Sequence, residues 1–184
     1  RVAEVPTSVA ADFDNDGLVD LFSWQARKLF HNDGNMKFTP VKLPELPPSV
    51  SLGACWGDFN GDGFVDIYIG GYEDWGKGIT WPFQILISQK GKSFKLALSK
   101  VQTRARGVTA CDFDQDGDLD VYVSSYRLQP NLLWLNDGKA AFTESAKKFG
   151  VIATSKGFGG GHSIGSAWGD FNNEGLIDLF AGNF

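Results

Sequence analysis

The chain has 184 residues, 42% of them apolar and 14% aromatic, with a formal net charge of −5. This is enough apolar matter for one cored domain and too much for a disordered acidic polymer. No run of about 18 apolar residues suggests a membrane span, and the two cysteines, Cys55 and Cys111, make neither a disulfide framework nor a metal cluster.

The first repeat sets the pattern. SVAADF is a short run of small and apolar residues; the acidic stretch DFDNDGLVD, Asp12 to Asp20, overlaps its end. An apolar run, VDLFSW, comes next, and then KLFHNDGNMKFTPV, which reads as two strands around a Gly-containing turn. The second repeat gives GACWGDF, the loop from Asp58 to Asp66, VDIYIGGY and FQILISQKGKSFKLAL. In the third, VTACDF leads into Asp112 to Asp120, LDVYVSSY and NLLWLNDGKAAFTES. The fourth runs from GSAWGDF through Asp170 to Asp178 to IDLFAGN. The loops begin 46, 54 and 58 residues apart.

Each complete repeat therefore predicts four antiparallel strands, a to d, with the acidic loop between a and b. Tandem units of about 40 to 50 residues are the signature of a β-propeller. The expectation is an all-β chain forming one partial propeller domain over residues 1–184, with blades at 8–46, 50–101 and 105–149 and a half blade at 160–184. No stretch has a convincing period of 3.6; Glu144 to Phe149 is short enough to be a turn between blades. A terminal face left open suggests part of a longer propeller, or a chain completed by a partner. Arg1 is neither an initiator Met nor the start of a signal-like apolar segment, so an internal or processed start is expected.

Oxygen-bearing side chains recur at positions one, three, five and nine of each loop: Asp12, Asp14, Asp16 and Asp20; Asp58, Asn60, Asp62 and Asp66; Asp112, Asp114, Asp116 and Asp120; Asp170, Asn172, Glu174 and Asp178. A hard cation such as Ca2+ takes six to eight oxygens at roughly 2.3–2.6 Å, which alternate side chains of one tight loop can supply. The sixth position is Gly for the turn, and the seventh, Leu18, Phe64, Asp118 or Leu176, would offer a backbone carbonyl. An EF-hand would need a Glu at position twelve, where Ser23, Ile69, Val123 and Ala181 stand. Asp and Asn also occur in ordinary hairpin turns, but four loops with one nine-residue grammar argue for cation sites. Up to four Ca2+ ions are expected, bound best by loops three and one, then two, then four. The loops hold fifteen of the 22 acidic residues, and outside them seven acids face seventeen Lys and Arg. These bases are scattered, which argues against nucleic acid as a partner.

DFDNDGLVD, DFNGDGFVD and DFDQDGDLD, each between a Gly/Ala-rich strand and an apolar strand, resemble the calcium-binding FG-GAP or VCBS repeats of integrin-α-type propellers. NLLWLNDGKAAFTESAKKFGV followed by GSAWGDFNNEGLIDLF is similar to repeats of the cartilage acidic protein family and its bacterial relatives. The resemblance implies a secreted or cell-surface propeller, periplasmic or surface-bound if bacterial, closed by seven blades and stabilised by calcium, that binds a protein or glycan.

If the a–b loops lie on one face, the b–c and d–a connections lie on the other. The second repeat's insertion GYEDWGKGITWPF places Tyr72, Trp75 and Trp81 there, and the third adds Tyr126 and Arg127. Aromatic and basic loop residues suit a protein or sugar partner, though Trp81 and Phe83 also suit an inter-blade core. Trp56 and Trp168 are expected to pack. Cys55 and Cys111 read either as buried free thiols, which apolar surroundings favour, or as an inter-strand disulfide. HExxH, CxxC and GxSxG are absent, His31 falls on a strand, and the acidic pairs are taken up by the cation loops, so no catalytic role is expected. A carbohydrate-binding propeller, or part of a glycan-active enzyme, is the alternative.

Overall fold

The computed structural model describes residues 7–183; the Arg1 start and Phe184, at the end of the expected half blade, lie outside the described residues. The first sheet is formed by β1 (Ser8–Ala11), β2 (Asp20–Ser23), β3 (Lys28–Asn32) and β4 (Phe38–Val41), hydrogen-bonded in chain order. The second contains β5 (Ala54–Gly57) and β6 (Asp66–Ile69). A small side hairpin of β7 (Glu73–Asp74) and β8 (Ile79–Thr80) interrupts it before β9 (Pro82–Ser88) and β10 (Phe94–Gln102) complete the order β10-β9-β6-β5. β11 (Ala105–Cys111), β12 (Asp120–Ser125), β13 (Leu132–Leu135) and β14 (Thr143–Glu144) make the third sheet, and β15 (Ser163–Gly169) with β16 (Asp178–Asn183) a fourth hairpin. The pairs are all antiparallel, and one short helix, α1 (Ala146–Phe149), follows the third sheet. β10 runs one residue past the boundary expected at 101. No helix among the described residues is long and apolar enough to cross a membrane.

The sheets are stacked by their side chains. Phe13, Phe22 and Leu29 of the first pack with Ala54, Ile67, Ile69, Leu86 and Phe94 of the second. The second sheet's other face, carrying Cys55, Phe59, Tyr68, Phe83 and Ile85, meets Val108, Val121, Val123 and Trp134 of the third. Tyr122 and Leu133 then meet Trp168, Leu179 and Ala181. β6 and β12 are buried on both faces, which explains why they read as near-continuous apolar runs. β1, β5, β11 and β15 lie side by side in series, so the first strands line one edge of the stack. Small residues are needed where they meet: a Cβ at Gly107 would stand 2.6 Å from the Ile164 carbonyl oxygen.

The last hairpin lacks the covering its counterparts have. Phe180 occupies the place of Phe22, Tyr68 and Tyr122, which are 0%, 0% and 1% exposed, yet it is 64% exposed. Trp56 and Trp168 pack as expected, against Phe22 and Phe113 respectively. Cys55 is buried and Cys111 partly so, and both thiols are free. Burial pushes both thiol pKa values up.

Candidate metal loops and the opposite loop face

All four acidic loops are held by one set of bonds. The first Asp accepts the N–H groups of positions five and six, so Asp12 takes Asp16 N at 3.1 Å and Gly17 N at 2.8 Å. Asp58 repeats this with Asp62 and Gly63, Asp112 with Asp116 and Gly117, and Asp170 with Glu174 and Gly175. The fifth-position acid accepts the N–H of the seventh residue: Asp16 from Leu18, Asp62 from Phe64 and Asp116 from Asp118. Position six is left-handed in every copy, with φ from 85° at Gly175 to 99° at Gly117. Position four is left-handed as well, at Asn15, Gly61, Gln115 and Asn173, a requirement the sequence reading missed. Asn and Gly at three of the four copies were its visible signal.

The ninth-position Asp fastens three strands together. One oxygen accepts the N–H of the loop's second residue, Phe13, Phe59 or Phe113, and the other accepts an N–H at the far end of strand c: Asn32 or Ser88 at 2.7 Å, Asn136 at 2.9 Å. Asp20 and Asp66 are 0% exposed and Asp120 is 1% exposed. Burial pushes all three carboxyl pKa values up, to about 7 for Asp66 and about 6 for Asp120, against the opposing pull of two N–H bonds each. Neighbouring loop carboxylates add to the rise. Asp178 accepts from Phe171 N at 2.9 Å, but its hairpin has no third strand among the described residues. Leu176 is correspondingly 54% exposed.

The carboxylates of the first and third loops converge. Asp12, Asp14 and Asp20 each offer an oxygen within 4.8 Å of the others, as do Asp112, Asp114 and Asp120. Asp14 Oδ1 and Asp118 Oδ1 are buried without a hydrogen-bond partner. Clustered carboxylates with such atoms fit a hard divalent cation, which would supply the missing positive charge. Loops two and four have an amide, Asn60 and Asn172, at the third position and so one charge fewer there. The side chain of Asp118, a position expected to offer its backbone carbonyl, stands among acids: burial and then Asp116, Asp114, Asp112 and Asp137 raise its pKa.

The loops also touch across sheets. Asn15 Nδ2 donates to Gly63 O at 3.0 Å, linking loops one and two, while Ala140 N and Asn136 Nδ2 donate to Phe59 O at 2.7 and 2.9 Å. The c–d turn of the third sheet thus grips the second loop. His31 lies on β3 as expected, but its ring reaches the first loop, with Nε2 3.3 Å from both Asp14 Oδ2 and Asp16 Oδ2.

On the opposite face the expected residues divide. Trp75 is 71% exposed, with the Arg127 guanidinium 3.6 Å above its ring. Tyr72, expected on the loop surface, is 8% exposed, with the Arg106 guanidinium 5.9 Å from its ring centroid and Trp81 N donating to Tyr72 O at 2.8 Å. Trp81 is half-buried, and Phe83 belongs to the core, stacked on Tyr68 at 4.8 Å. The sequence reading missed Glu73, a buried acid bound to Arg104 Nε at 2.9 Å and Arg127 Nε at 2.7 Å. Tyr126 lies under Arg106 at 5.0 Å and against His162 at 4.8 Å; with Arg127, Leu128 and His162 it lines an open cavity of about 390 Å³.

Four-stranded antiparallel meanders, stacked face to face and each turning through an acidic loop of one pattern, define a tandem array of propeller-type blades. Residues 11–69 and 112–181 match the family model for the FG-GAP-like repeat, and the chain belongs to that family. It is also 28% identical over 173 residues to cartilage acidic protein 1 of Mus musculus, a match that covers 82% of this chain and 24% of that protein's length. The chain therefore spans about a quarter of this relative.

Proposed function

We propose that the chain is part of a calcium-stabilised β-propeller, seven-bladed when closed, which acts outside the cell as a protein-interaction or adhesion module. Ca2+ is held in the a–b loops and the partner binds on the b–c face. The observation that carries this reading is the repeated loop geometry: Asp12, Asp14 and Asp20, and their counterparts Asp112, Asp114 and Asp120, bring carboxylate oxygens within 4.8 Å with no cationic side chain of the loop between them. Without an ion these acids repel one another, and the hairpin opens or takes up protons. An ion that binds the folded loop adds about 1.4 kcal/mol of stability for each tenfold excess over its Kd. Extracellular modules bind calcium at roughly 0.1–1 mM, the range found outside cells. The sites are structural, and the chain is a binding module with no catalytic role.

Thermal melts with calcium and with a chelator test the reading. A calcium-dependent rise in Tm is expected, and an unchanged Tm rejects it. The exposed Trp75 ring, a flat apolar platform on the b–c face, supports a second reading in which the partner is a carbohydrate. A glycan array separates the two.

A further inference from the structure

The first loop differs from the second and third in having a nitrogen donor at its mouth. Continuing the pairing register of β2 with β3 places His31 opposite Asp20, where the second and third sheets have Ile87 and Leu135. His31 Nε2 stands 3.3 Å from Asp14 Oδ2 and 3.3 Å from Asp16 Oδ2. Two ligand atoms bound at about 2.0–2.1 Å to one tetrahedral ion stand about 3.3–3.4 Å apart, so both separations fit a shared ion.

The far side of the ring is prepared in the same sense. His31 Nδ1 is 2.9 Å from Asp33 Oδ1, and Asp33 is itself held by Lys37 Nζ at 3.0 Å and Thr39 Oγ1 at 3.2 Å. A carboxylate on one imidazole nitrogen fixes the tautomer and aims the other nitrogen at a metal, an arrangement typical of zinc-binding histidines. Asp14 Oδ1, buried and without a hydrogen bond, adds a further oxygen lacking a partner. Imidazole suits borderline ions such as Zn2+, whereas calcium prefers oxygen alone.

We propose that the first loop is a mixed nitrogen–oxygen site that takes a borderline divalent ion of the zinc type through His31 Nε2, Asp14 and Asp16, in competition with calcium. The inference rests on the reading of the acidic loops as cation sites. The test is calorimetric titration of the whole chain with Zn2+, in a His162→Gln, Cys111→Ser background that removes other donors. His31→Gln should weaken Zn2+ binding by at least about tenfold while calcium affinity shifts by less than about threefold. Asp33→Asn, which keeps the ring but loosens its orientation, should weaken Zn2+ by about tenfold or more and serves if the first variant does not fold. Co2+ should give a visible absorption band that His31→Gln abolishes. Zn2+ binding that neither variant changes overturns the proposal, as does a His31→Gln variant altered only in calcium affinity, which would make the imidazole a fixed counter-charge. If Zn2+ fails to bind while calcium still raises Tm and Asp112→Ala reduces that rise, the inference alone falls; if neither metal acts, the reading of the loops falls with it.

Discussion

Asn136 Nδ2 donates to the Phe59 carbonyl oxygen at 2.9 Å, across 77 residues of sequence. Asn136 directly follows β13 and its own N–H binds Asp120, so one residue joins the third acidic loop to the second. It is 8% exposed. Asn136→Ala removes the amide donor and leaves Phe59 O with Ala140 N alone. The loss of one buried hydrogen bond costs about 1–2 kcal/mol, and for a chain of this size each kcal/mol lowers Tm by roughly 2–4 °C. Calorimetry should show that drop both with and without calcium, since the bond joins two blades and does not depend on the ion.

Calcium stabilisation should grow with pH. Asp66 and Asp120 titrate near about 7 and about 6 in the folded chain because burial disfavours their charged forms, with ordinary carboxylate values when unfolded. A raised folded pKa means that the stability present below the unfolded pKa is lost as pH rises through the folded one. The ion-free chain therefore loses stability between about pH 4 and 7 as these carboxyls ionise inside the loops. Bound calcium opposes that loss because it favours the ionised form. The difference in Tm between calcium-loaded and chelator-treated protein should be small near pH 5 and larger near pH 7.5. A difference independent of pH would show that the ninth-position acids are not coupled to the ion.

The strands and loops were legible because each is encoded within a dozen residues. Period-two and continuous apolar runs gave β2, β6, β12 and β16, and Asp, Asn and Gly at fixed offsets gave the four turns. What stayed hidden depends on how one element meets another. Tyr72 reads as a loop residue, but its burial depends on how distant residues such as Arg106, 5.9 Å from its ring, meet it. His31 reads as a strand residue, and nothing local says that its ring reaches Asp14 and Asp16 from the adjacent hairpin. Glu73 lies 31 residues before Arg104 and 54 before Arg127, and the three carry no shared motif. The left-handed fourth loop position was half visible, spelled by Asn15, Gly61 and Asn173 and obscured by Gln115.

Glu73 and Trp75 separate stability from binding on the b–c face. The Glu73 side chain is buried beneath two guanidinium groups, so Glu73→Ala leaves Arg104 and Arg127 without their shared counter-charge. Removing one partner of a fully buried pair costs about 3–5 kcal/mol; both arginines here are partly solvated, which reduces the figure to about 1–3 kcal/mol. Trp75 is 71% exposed, and Trp75→Ala loses mainly the contact with Arg127, worth about 0.5–1 kcal/mol. The expected result is a clear fall in Tm for Glu73→Ala and at most a small one for Trp75→Ala. If Trp75 anchors a partner, its removal should weaken binding at least about tenfold, as truncation of an interface anchor does. A large fall in Tm for Trp75→Ala would instead make it a packing residue.

The loops should differ in calcium affinity in a definite order. Loops one and three present acids at all four side-chain positions, and loop three adds Asp118, whose Oδ1 is buried and unpaired. Loop two replaces one acid with Asn60, which keeps an oxygen but loses a charge, although Asp66 is clamped by both Phe59 and Ser88. Loop four has Asn172 as well, a longer Glu174 that must fold back, and an Asp178 with no third strand to hold it among the described residues. Charge count and rigidity both set affinity in such loops; with three acids each, loops two and four fall below the others, and rigidity places loop four last. Replacing the first acid in turn, as Asp12→Ala, Asp58→Ala, Asp112→Ala and Asp170→Ala, removes the two N–H bonds that shape each loop together with one ligand. Calorimetric titration should lose the tightest steps in Asp112→Ala and Asp12→Ala and an intermediate one in Asp58→Ala. Asp170→Ala should change least, and a fourth loop that bound tightest would mean that charge and strand support are not what sets affinity here.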